Sequence, residues 1–427
     1  MDMRLFKKLG RSTALMVFVG LLAGNAMAKE VAEGTILSKD NLATLENEIF
    51  QGIRVGDLLT ETQRMWVEEY NLKMKLGKTT ELKVDPAYLE ATKKNAGQAK
   101  FDPKTKTVSN YTAGIPFPKV DVKDPDAGYK LAWNNYYANP VMGDNWIATG
   151  DVTIVDAEKG TIDRFEAISA KMLMEGRTTG GKPRIGNEED HARYLLTLSK
   201  PYDLAGLGIY TKQYNSGKLD DAWVYVKSIR RTRRVAGGKS WMDPQPKMDL
   251  LNDDNQAVNA YPLWYRSWKL LGKRWILAVV TGPDPKVKHN YADYVDQAPP
   301  FWNHTTEVTW EPREVYVLEA VPPAEHPYAK KVLYMDADYP FFYQSDIYDR
   351  KGAFWRLWRE TYSPITAKDG KPGITFFCTQ AIDFQRNRAT YIDIISTNLN
   401  NPDFNDNAFS PKMLQAAGQG GLDIYLK

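Results

Sequence analysis

The chain has 427 residues, 56 of them basic and 53 acidic, for a formal net charge of +3, and it is 43% hydrophobic and 12% aromatic. Arg4, Lys7, Lys8 and Arg11 lie in the first 28 positions against Asp2 alone, so the rest of the chain is balanced and a polyanion-binding role loses its support. The single cysteine, Cys378, excludes an intramolecular disulfide, and an exported chain of this length must then be held together by core burial.

Export is the first expectation. The basic cluster precedes the apolar run Ala14 to Ala23, and Ala26-Met27-Ala28 forms an A-x-A cleavage site, so residues 1–28 are read as a signal peptide. The mature chain is expected to begin at Lys29, soluble in the periplasm. No cysteine follows the cleavage site, and no later apolar run reaches the roughly 18 residues of a spanning helix; neither a lipid anchor nor a transmembrane segment is expected.

Residues 29–145 read as a helical N-terminal region. Leu42, Leu45, Ile49 and Phe50 recur at helical spacing, as do Met65, Trp66, Tyr70 and Met74, giving two helices between Ser38 and Leu76. A short helix follows from Ala87 to Lys94. Gly114 to Pro118, GIPFP, is a rigid connector, because two prolines fix φ and remove donors. Asp126 to Tyr137 is a further helix.

From residue 146 to 427 the periodicity is that of strands, with a short closing helix at Phe409 to Ala417. Ile147 to Val155 and Thr161 to Met174 flank the turn Glu158-Lys159-Gly160, and Glu188 to Leu198 reads as helix or strand. Ala260 to Leu271 and Arg274 to Val280 are expected as two strands separated by Gly272. Val308 to Ala320, Lys331 to Ala337, Phe341 to Asp349, Phe354 to Tyr362, Gly373 to Asp383 and Ala389 to Ile394 complete an antiparallel meander.

The hairpin within 204–234 carries the first candidate site. Its returning strand puts Trp223 and Tyr225 on one side, and continued extension would bring Arg231 and Arg233 onto that side too. Such a face grades from aromatic to cationic and would suit a ligand with an apolar body and an anionic head. Trp264, Arg266 and Trp268 repeat the mixture. The competing reading is an ordinary sheet face whose arginines are solvated at the strand end.

Several of these segments together resemble domain-of-unknown-function family 1329, exported bacterial proteins known as outer-membrane lipoprotein-sorting proteins. The resemblance rests on GIPFP, the pair Trp133-Asn134, the strand Asp221, Trp223, Tyr225 running into IRRTRRV, the run Trp268 to Trp275, and Val315 to Asp338. It implies an α+β fold: a large curved antiparallel sheet, a half-open barrel like that of the Lol-type lipoprotein carriers, with helices packed on its concave side and an apolar cavity between. It also implies a hydrophobic small molecule, lipid or lipoprotein acyl chain as cargo, and an RND-type transporter or outer-membrane protein as partner.

Catalytic signatures are sparse. His191, His289, His304 and His326 occupy no catalytic spacing, and HExxH, GxSxG, a Walker phosphate loop and a zinc cysteine pair are missing from the sequence. His326 reads as a hairpin-loop histidine. Asp249, Asp253 and Asp254 read as turn chemistry that pairs with arginines, with a metal site as the less favoured reading. The expectation is a carrier without catalytic residues, metal, cofactor or nucleic-acid partner. Its alternatives are an enclosed-pocket enzyme acting on a hydrophobic substrate and a structural partner of an outer-membrane complex.

Overall fold

The computed structural model describes residues 28–137, 143–226, 229–235, 240–282, 295–296, 303–304, 308–406, 409–417 and 421–426; residues 1–27 of the expected signal peptide and His289 fall outside them, as does the side chain of His304. In the N-terminal region, β1 (Ile36–Leu37), α1 (Leu42–Leu45) and the small hairpin of β2 (Ile49–Phe50) and β3 (Ile53–Arg54) precede α2 (Glu61–Tyr70) and β4 (Met74–Leu76). Next come α3 (Pro86–Lys94), a ladder of β5 (Lys100–Phe101) with β6 (Val108–Ser109), and α4 (Ala127–Tyr137).

The long strands follow: β7 (Asn145–Asp156), β8 (Gly160–Leu173), β9 (Asp190–Lys200), β10 (Gly208–Tyr214), β11 (Asp221–Val226), β12 (Arg231–Val235) and β13 (Ser267–Ala278). After a short ladder of β14 (Val295–Asp296) and β15 (Asn303–His304) come β16 (Thr309–Val321), β17 (Tyr328–Asp336), β18 (Phe342–Asp349) and β19 (Phe354–Thr366). β20 (Pro372–Asp383), β21 (Arg388–Leu399), α5 (Lys412–Ala417) and α6 (Asp423–Leu426) complete the chain.

Fifteen strands form one open, curved sheet in the order β1-β4-β16-β17-β18-β19-β20-β21-β7-β8-β9-β10-β11-β12, with β13 also paired to β16. Pairing is antiparallel except where β4 meets the start of β16. The fold is α+β, as the sequence predicts. Through β1 and β4, residues before Trp146 join the same sheet as the meander.

Both sheet faces are covered, which is why strands such as β20 are buried along almost their whole length. On one face, α4 and the segment 240–265 pack over Trp146, Ala148, Val152, Trp358 and Phe376. On the other, α1 and α2 cover Leu277, Leu357, Phe377 and Tyr391, while α5 covers Ile147, Ala170 and Leu195. The two packings alternate residue by residue along β7, as the period of two requires.

Local signals explain most elements. Thr60 and Gln63 form a reciprocal capping box at the start of α2, and Gln63 Nε2 also donates to the Leu277 carbonyl. Asp85 caps α3, with Pro86 in its first turn. GIPFP docks as a connector: Phe117 N–H donates to Asn134 Oδ1 at 2.9 Å and its carbonyl accepts from Asn134 Nδ2 at 2.8 Å. A Cβ on Gly128 would lie 2.6 Å from the Trp268 carbonyl oxygen, so glycine there lets α4 lie close against β13.

The structure corrects three expectations. The first N-terminal helix shrinks to one turn, because Ile49 and Phe50 pair with Ile53 and Arg54 around Gln51-Gly52, both at positive φ. Gly272 does not separate two strands; it sits at a register shift in the single strand β13, with φ of 149°, and an interior strand glycine marks a bulge here rather than a turn. Residues 262–264 are a 3-10 turn, so Trp264 is not on a strand. The ambiguous 188–198 stretch is strand β9.

Candidate functional site

Small and aromatic side chains of the sheet face that meets 240–265 leave space beneath that segment. The larger space, about 600 Å³ with its mouth, is lined on the sheet side by Trp146, Tyr194, Leu196, Trp358, Phe376 and Ile394, with Gly150, Ala167 and Ser169 providing room. Met248 and Leu250 close it from above. A mostly apolar lining with a few polar groups is the usual make-up of a ligand pocket.

The roof is fastened by charges. Lys331, fully buried on β17, reaches Asp253 at 2.9 Å and Asp254 at 2.8 Å, and Tyr328 donates to Asp254 at 2.7 Å. Asp249 pairs with Arg388 at 3.2 Å and Lys247 with Asp163 at 2.7 Å. The carboxylates therefore pair with a lysine as well as arginines, and among the described residues no group of three acids, histidines or cysteines could hold a metal. The lysine holds the Asp254 carboxyl below the usual range against the opposing effect of burial.

Glu360 is the one carboxyl on the sheet side of this apolar space. It accepts from Thr379 Oγ1 at 2.7 Å, and burial pushes its pKa well above the ordinary carboxylate value, favouring the neutral form. Asp254, the other acid in the lining, is spent on Lys331 and Tyr328.

A second space, about 560 Å³ with its mouth, adjoins the first at Gln256, which lines both. Its lining is more polar, with Asn135, Lys171, His191, Gln213 and Asn259 beside Tyr136, Phe341, Phe342 and Tyr362. His191 is held by Glu175 Oε1 at 2.9 Å from Nδ1 and stacks on Tyr136 with ring centroids 3.8 Å apart. Burial lowers its pKa despite the carboxylate. A histidine oriented by a carboxylate is a familiar half of a nucleophilic site, but the lining contains no serine, threonine or cysteine for it to activate.

The seven residues expected from sequence are divided by the structure. The chain turns between β11 and β12, with Arg230 at positive φ, so the row does not continue extended. Arg231 and Arg233 pair across from Val226 and Val224, on the sheet face opposite Trp223 and Tyr225, and both arginines are exposed on the edge strand. Trp223 packs on Tyr210 beneath α5. Trp264 and Trp268 lie on the cavity face in an aromatic cluster with Trp241 and Tyr265, and their indoles donate to the Gly217 and Pro262 carbonyls. Arg266 is exposed. None of the seven lines either space.

His326 lies in the hairpin loop as expected but is buried, 3.7 Å from Asp253, and desolvation pulls its pKa down to about 4. The residues missed from sequence are Lys171 and Glu360. Their signal was phase: Lys171 continues the alternation Ala167, Ser169 and Glu360 that of Trp358, placing a charge where the pattern demands a core residue.

Residues 44–415 match the model of a family described as protein of unknown function, DUF1329. The chain belongs to that family. It is 25% identical over 319 residues to an uncharacterized protein of Pseudomonas aeruginosa, PA3922, covering 70% of this chain and 65% of that one, so it spans less than two thirds of the curated relative's length. Among solved structures it is similar to an outer membrane lipoprotein-sorting protein domain from Vibrio parahaemolyticus, at 15% identity and a TM-score of 0.47, over 69% of this chain and all of that one. A DUF1329 family protein from Desulfovibrio piger matches at 18% identity and a TM-score of 0.45, over 68% and 100%. The LolA superfamily protein NE2245 from Nitrosomonas europaea matches at 14% and 0.40, over 66% and 95%.

Proposed function

We propose that this protein binds and carries a hydrophobic molecule, without chemical conversion, in the periplasm. The observation that carries the reading is the roofed apolar space between the sheet and residues 244–256. Burying ~200 Å² of cargo hydrocarbon there contributes about 5 kcal/mol before association and ordering costs, a regime suited to hand-off rather than permanent capture. Acyl chains are the cargo class proposed on the family resemblance. The signal-peptide pattern read in residues 1–28 supports the location, and no helix among the described residues is long and apolar enough to cross a membrane. Exchange of the cargo with a resistance-nodulation-division transporter or an outer-membrane protein is the wider setting, proposed on the family resemblance.

The test fills the space. Ser169 is half-buried and faces the cavity, so Ser169→Trp should weaken binding of an apolar fluorescent probe at least tenfold while near-ultraviolet circular dichroism stays native. Trp223→Ala, on the opposite face, should leave probe affinity within twofold. Equal binding by the Ser169 variant and wild type would move the cargo site elsewhere.

A further inference from the structure

Among the described residues, Lys171 has no hydrogen-bond or ion-pair partner within bonding distance of its ammonium. It lies on β8 directly across from Trp146 on β7 and Tyr194 on β9, both lining the apolar space, while Lys171 itself lines the polar one. No carboxylate lines that polar space, and no described residue hydrogen-bonds or ion-pairs with the ammonium. The acid that acts on it is Asp220, which is buried, hydrogen-bonded by Gln213 and itself pushed toward the neutral form. His191, the other titratable nitrogen facing Lys171, is kept neutral by burial. Lys171 is half-buried, and desolvation draws its pKa down to about 8.

An enclosed ammonium without a counter-ion is unfavourable for the empty protein. An anion brought in by a ligand would relieve that cost, and the charge-assisted hydrogen bond would add to binding. Gln256, shared by both spaces, supplies an amide at the junction. We propose that the cargo is an amphiphile whose apolar chain occupies the space under residues 244–256 and whose single anionic head, a carboxylate or a phosphate, is received by Lys171. This rests on the carrier reading above and narrows it from hydrophobic molecules in general to anionic amphiphiles.

The experiment uses the mature, delipidated chain and three fluorescent probes: dansylaminoundecanoic acid, its methyl ester, and a dansyl-tagged alkyl phosphate. Wild type is expected to bind the acid about tenfold more tightly than the ester, the effect of one charge-assisted contact. Lys171→Gln should reduce the acid to the ester's affinity and leave the ester unchanged; Lys171→Arg should keep the preference. A phosphate held more tightly than the carboxylate assigns the head to a phospholipid, and the reverse order to a fatty acid. Equal affinity of wild type for acid and ester, or an unchanged preference in Lys171→Gln, would overturn the head-group assignment and leave the carrier reading standing. Failure of all three probes to bind would overturn both.

Discussion

Lys331 and Glu360 show two ways of accommodating an ionisable group inside a sheet. Lys331 keeps its charge because two carboxylates and the Ala257 carbonyl surround the ammonium, which raises its pKa against burial. Removing one partner of such a group strands the others, so Lys331→Met should destabilise the protein by about 3–5 kcal/mol in urea denaturation. Loosening the roof should weaken apolar-probe binding in the same variant. His326 beside Asp253 belongs to this cluster, and His326→Ala is expected to lower stability.

Burial pushes Glu360 toward its neutral form instead. Its folded pKa lies well above the unfolded value, so the folded chain holds a proton that the unfolded chain releases, and the group's contribution falls as pH rises from the ordinary carboxylate value toward the folded one. Glu360→Gln should therefore be more stable than wild type at pH 7, with the difference closing as pH approaches 4. Asp346, pushed up to about 6, has the same sign and is unaffected by that substitution, so comparing the two proteins isolates Glu360. A constant difference across that range would mean that Glu360 is ionised in the fold.

At the scale of elements, the sequence carried most strands and four helices, because alternation, capping residues and prolines act locally. The capping box of α2 is one such signal, and Thr60→Ala should cost about 1 kcal/mol in thermal or urea unfolding. The failures were non-local. Whether Gly272 ends a strand or bulges within it depends on the continuous ladder that β16 offers to β13. Extension of Tyr225 into Arg231 was broken by a turn with no Asn-Gly or Asp-Gly pair to announce it. A turn in that place reverses the direction of the chain and sends the arginines to the other face, so the expected aromatic-to-cationic row dissolved although each strand was placed correctly.

At the scale of the whole molecule, a sheet buried on both faces conceals its functional face from sequence. Near-continuous apolar runs such as residues 373–383 do not reveal which side carries a covering layer and which leaves space. The segment 240–265 decides this: its charges read from sequence as turn chemistry, but folded they fasten a roof over small residues of β7 and β8. The central claim is that this roofed space holds cargo. Native mass spectrometry of the chain isolated from its own cells tests it most directly, comparing wild type with Ser169→Trp. The expected result is a discrete hydrophobic adduct at one per chain in wild type that is lost in the variant; the same adduct on both proteins, or none on either, would contradict it.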